Sequence, residues 1–152
     1  MIRSNVMTVA VGLALICAGG LRADLAKARA ELRPGRRARL ALDNAKAQFR
    51  TASAAYKGGD WQQTTAALGE LRESVELAYE AVKQTGKTPR KSQDYKNLEI
   101  ETRRLSRNLG DLLQTMSVDE RERMAPLAAY IRQVHDEVLE GVLGAGKEKG
   151  KR

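Results

Sequence analysis

Apolar residues recur along this chain at alternating steps of four and three, the spacing that lines up one side of an α-helix. Ala38, Leu42, Ala45, Phe49, Ala52 and Tyr56 form the first stripe. Thr64, Leu68, Leu71, Val75, Ala78 and Val82 form the second. The third runs from Tyr95 through Leu98, Thr102, Leu105, Leu109 and Leu112 to Met116. The fourth takes in Met124, Leu127, Ile131, Val134, Val138 and Val142. No stretch alternates apolar and polar residues for long enough to predict a strand.

Boundary signals fit these stripes. Gly58-Gly59 precedes Asp60-Trp61-Gln62-Gln63, an Asp-x-x-Gln arrangement whose carboxylate can take a free N–H of the next helix. Ser117-Val118-Asp119-Glu120 repeats the device, with Met116 and Ser117 leaving a very short connection. Helices are therefore predicted at about 37–57, 61–85, 93–116 and 118–143. Pro126 lies inside the last of these and predicts a kink or a broken first turn. The predicted fold is all-α, an antiparallel up-down four-helix bundle built from two hairpins.

The stretch Tyr56-x-x-Gly59-Asp60-Trp61-x-x-Thr64 resembles one tetratricopeptide hairpin over about residues 42–70. The resemblance implies that Trp61 packs back over the hairpin, that Thr64 stands where the family has a small residue, and that Tyr56 and Trp61 serve a peptide-binding unit. The alternative fold is thus a tetratricopeptide-like hairpin followed by a C-terminal hairpin. The chain departs from that family in two ways. Its second helix runs well beyond the helix of a 34-residue repeat, and the positions one repeat further on, Gln93 and Tyr95, carry no Gly-Asp turn.

The ends differ from the middle. Residues 1–23 carry Arg3, then an uncharged apolar run from Val6 to Ala18, then small residues, the order of a signal peptide. The run is short for a membrane span of about 20 residues. Cleavage is predicted after Gly20 or Ala23. Lipidation of Cys17 would need a small residue before it, and Ile16 stands there. Removal of residues 1–23 leaves no cysteine, and so no disulfide or thiolate chemistry. Residues 24–36 read as a loose, basic helical extension that ends near Pro34-Gly35, and residues 145–152 as a disordered basic tail. Export to the periplasm or medium is the expected location.

Charge and chemistry narrow the function further. After cleavage the chain would hold 25 basic and 19 acidic residues, a formal net charge of +6. The excess gathers in Arg33–Arg39, in the linker Gly86–Lys91 and in the tail. His135 is the only histidine, and Arg132 occupies the place where a Glu-x-x-His metal motif needs its glutamate. No Gly-rich phosphate loop follows a strand. Glu99, Glu101, Arg103, Arg104 and Arg107 read as a solvated charged face.

The chain is thus expected to be a non-enzymatic interaction or scaffold module of the cell envelope without a cofactor. Its candidate contact residues are Tyr56, Trp61, Arg36, Arg37 and Arg39. Three partners stay open: an envelope protein, an anionic surface held through the basic ends, and a second copy of the chain. Nucleic acid drops out if the protein is exported. A metal-binding bundle using His135 is the remaining alternative.

Overall fold

The structure, a computed structural model, describes residues 19–144. The expected apolar leader with Cys17 and the expected tail 145–152 lie outside the described residues. Five α-helices follow in order: α1 Gly19–Ala30, α2 Pro34–Lys57, α3 Trp61–Gln84, α4 Gln93–Gln114 and α5 Val118–Leu143. A single 3-10 turn, Pro89–Lys91, sits between α3 and α4. The fold is all-α.

The caps act as their residues predict. The Asp60 carboxylate accepts from the Gln63 N–H at 2.9 Å. Ser117 and Glu120 form the reciprocal box, with the Ser117 N–H donating to Glu120 Oε2 at 3.0 Å. Gly59 takes φ +76°, a left-handed conformation that other residues adopt at a cost. The short Gly58-Gly59-Asp60 connection then folds α3 back along α2.

Three expectations change. Residues 24–36 are not loose: α1 covers most of them, and Leu25 and Ala28 are buried against α2 and α3. Two apolar residues are too few to signal a helix by period, so α1 is held by its packing. Helix α2 starts at Pro34 rather than 37, because proline at the first helical position carries a preset φ and needs no N–H partner. Helix α5 is continuous through Pro126. Pro126 and Glu122 are both exposed, so water can take the Glu122 carbonyl that the missing N–H leaves open.

Helices α2 and α3 form one antiparallel hairpin, and α4 and α5 the other. Where the hairpins meet, helices of like direction are neighbours. Along α2 and α4, an added Gly35 Cβ would lie 3.3 Å from Asp94, Lys46 approaches Glu101 at 3.9 Å, and Tyr56 reaches Thr115. Along α3 and α5, Arg72 stacks on Tyr130 and the Tyr79 hydroxyl donates to Glu137 at 2.6 Å. Both numberings advance together, as parallel neighbours require. The molecule therefore has two layers, α2 with α4 and α3 with α5. Leu68, Leu71, Val75, Val82, Leu98, Leu109, Ile131 and Val138 fill the space enclosed by the helices and are essentially inaccessible.

One polar cluster lies in the first hairpin. Asn44 and Gln48 are buried on α2, facing Ser74 and Glu70 on α3. Asn44 Nδ2 donates to Ser74 Oγ at 2.9 Å and to Glu70 Oε1 at 3.0 Å, and Gln48 Nε2 donates to the same Glu70 oxygen at 3.0 Å. The carboxylate thus orients both amides and leaves Asn44 Oδ1 and Gln48 Oε1 without partners. Glu70→Ala is expected to destabilise the protein by about 1–3 kcal/mol in urea melts, because it strands a buried Gln48 amide. A Glu70→Ala protein with an unchanged midpoint would contradict this.

Candidate functional site

The structure assigns each candidate residue a place. Tyr56 ends the first hairpin half-buried, and its hydroxyl is shared between Glu120 Oε2 at 3.1 Å and the Thr115 carbonyl at 3.2 Å. It ties the first hairpin to the α4–α5 turn. Burial and the neighbouring Glu120 carboxylate push the Tyr56 phenol up. Trp61 is half-buried beside it and packs against the core.

Acid dependence follows from this contact. The Ser117 N–H and hydroxyl, with Tyr56, hold the Glu120 carboxyl below its ordinary value of 4.5. The Tyr79 hydroxyl and the Gln133 amide do the same for Glu137. Groups depressed in the folded state add stability above the ordinary value and lose it as pH falls through the folded one. The Tm is therefore expected to drop progressively below about pH 4.5. Glu120→Gln should flatten part of that drop in a pH series of melts, and an unchanged acid profile would exclude Glu120 as a contributor.

The arginine run at the α1–α2 corner is partly used inside the molecule. Arg37 Nε donates to the Glu31 carbonyl at 2.7 Å, and Nη1 donates to Gln84 Oε1 at 2.9 Å. Arg36 pairs with Glu31 at 3.1 Å. The Arg33 N–H, the desolvation that opposes it and the nearby guanidiniums leave the Glu31 carboxyl lowered on balance. Arg37 thus closes the corner, while Arg39 is exposed on the outer side of α2.

That outer side is continuous with α4. Asp43 pairs with Lys46 at 2.8 Å, Lys46 approaches Glu101 at 3.9 Å, and Glu101 faces Arg104 at 3.6 Å. This row of charges crosses from α2 to α4 and joins their exposed strips. The expected solvated face of α4 is in fact divided. Glu99 is buried and Glu101 half-buried, while Arg103, Arg104 and Arg107 are exposed. Ile100, Arg103, Arg104, Arg107 and Asn108 line a shallow cleft of about 270 Å³. No family model, curated protein or solved structure matches this chain.

Charge is sorted by layer. Helix α2 carries six basic residues against Asp43, and α4 carries four basic against four acidic. Helix α3 carries two basic against four acidic, and α5 three against six. The α2/α4 layer is therefore net +5 and the α3/α5 layer net −5. Sequence reasoning placed the basic residues at the ends and missed this sorting. Lys46, Arg50, Arg104 and Arg107 belong to the basic face together with Arg36 and Arg39.

His135 is largely covered, with Nδ1 3.8 Å from Glu99 Oε1 and no hydrogen bond to that nitrogen. Among the described residues no group of three or more His, Cys, Asp or Glu side chains converges as metal ligands would. Among the described residues no helix is long and apolar enough to cross a membrane.

Proposed function

We propose that this chain is an exported, non-enzymatic interaction module whose α2/α4 face takes an acidic segment of a partner protein. The sorting of charge between the two layers carries this reading. Two parallel helices present Arg39, Arg50, Arg104 and Arg107 along one side, with the acids of α4 mostly turned into the seams. Guanidiniums held on rigid helices can meet carboxylates in a forked, two-bond geometry. Ile100, 40% accessible, is the one large apolar side chain exposed on α2 or α4 among the described residues, which favours an acidic protein over insertion into lipid.

The test is binding of a glutamate-rich peptide, followed by fluorescence anisotropy from about 0.05 to about 0.5 M salt. Affinity should fall steeply with salt, since exposed charges are screened. Absence of binding at low salt would sink the proposal. Binding of anionic vesicles without peptide binding would move the partner to lipid.

Export rests on the leader pattern of residues 1–23. Cleavage after Ala23 would keep Leu25 and Ala28, the buried contacts of α1. Intact-mass analysis of fractionated cells should recover a chain lacking the first 20 to 23 residues in the envelope or medium. A full-length cytoplasmic mass would remove this part of the proposal.

A further inference from the structure

The acidic layer is as organised as the basic one. Two of its five cations sit on aromatic rings: the Arg72 guanidinium lies 4.9 Å from the Tyr130 ring centroid, and Lys83 Nζ lies 4.7 Å from the Tyr79 ring and 2.7 Å from Glu80. Glu76, Asp136 and Glu140 are left exposed along α3 and α5. Each layer is two helices wide and up to 24 to 26 residues long. At 1.5 Å per residue, such a face is about 36 Å long. With neighbouring helices 8–10 Å apart and their side chains included, it is about 20 Å wide. One face laid on the other would bury about 1,400 Å² in total, within the range of specific interfaces.

We infer that a second copy of this chain docks its acidic α3/α5 face on the basic α2/α4 face, head to tail. The helices of the two layers carry equal and opposite sums, +5 and −5, although Arg37 and Glu70 are spent inside the first hairpin and Glu73 pairs with Arg29 of α1. Residues 24–144 as a whole are close to neutral, with 21 basic and 18 acidic residues, so little net repulsion opposes the contact. Because different patches meet, the interface is heterologous and can repeat into a ring or an open row. The terminal copy keeps its basic face free for an acidic segment of another protein. The inference shares that face with the proposed function, but it also needs the α3/α5 face, so the two can fail separately.

Sedimentation velocity on the purified chain, over a concentration series at low and high salt, tests it. Association should appear with rising concentration at low salt and vanish at high salt. Two charge-reversed chains sharpen the result. The first carries Glu76→Lys, Asp136→Lys and Glu140→Lys, and the second Arg39→Glu, Arg50→Glu and Arg107→Glu. Each alone should stay monomeric, a mixture of the two should associate again, and the first should still bind glutamate-rich peptide. A wild-type chain that stays monomeric at low salt overturns the inference, as does association that persists at high salt. A mixture that stays monomeric also overturns it. Peptide binding retained by the second chain would overturn the proposed function instead.

Discussion

A chain carrying Arg39→Glu, Arg50→Glu and Arg107→Glu is expected to bind a glutamate-rich peptide roughly 100-fold less tightly than wild type. All three side chains are exposed on α2 or α4, away from the buried stripes. Each reversal turns an attraction into a repulsion, a swing of about 1 kcal/mol per site at low salt. Three such sites give about 3 kcal/mol, or close to two decades of affinity. The same protein should melt near the wild-type temperature, since exposed substitutions usually shift stability by about 0.5 kcal/mol or less. Anisotropy and circular dichroism on one preparation separate the two effects. Retained affinity in the folded variant would mean that the α2/α4 face is not the contact surface.

Leu71→Ala is expected to destabilise the fold by about 2–5 kcal/mol, the cost of removing a buried leucine side chain and leaving a cavity. Leu71 is fully buried on α3, in the stripe that meets α2. The buried side of α2, the helix that α3 packs on most closely, is rich in alanines, Ala41, Ala45 and Ala52 among them, and such short side chains cannot move in to fill the space. A domain of this size has about 5–15 kcal/mol to lose, so the variant should be partly unfolded at modest urea. Leu71→Met, close in volume, should cost under about 1.5 kcal/mol. Equal urea midpoints for the two variants would show that packing at this position is loose.

Much of the candidate site was legible in part. Arg36 and Arg39 were read from the sequence as contact residues, and both lie on the basic face. Arg37 was read alongside them, yet its guanidinium is spent on the Glu31 carbonyl and Gln84. A run of arginines does not reveal which member turns inward, because that depends on α1 and α3 meeting α2. Asn44 and Gln48 were missed as buried residues. They are equidistant from Gly59 with Ser74 and Glu70, so the turn position together with the paired polar residues could have found them. Glu99 and Glu101 were read as solvated because they share a segment with three arginines. They flank the Leu98–Thr102–Leu105 stripe and are covered only when α5 and α2 pack on either side.

The sequence alone determined the four long helices, the tight turns at Gly59 and Ser117, and the apolar side of each helix. These depend on contacts within a few residues, namely the helical period and the caps. Tertiary structure decided which helices became neighbours. The same stripes serve several crossing geometries, and only the completed packing sets α2 beside α4 and α3 beside α5. It also ordered α1, whose two buried residues could not hold a helix alone. The sorting of charge into a basic and an acidic layer follows from that choice of neighbours, since each helix brings its own charges and the pairing determines where they add.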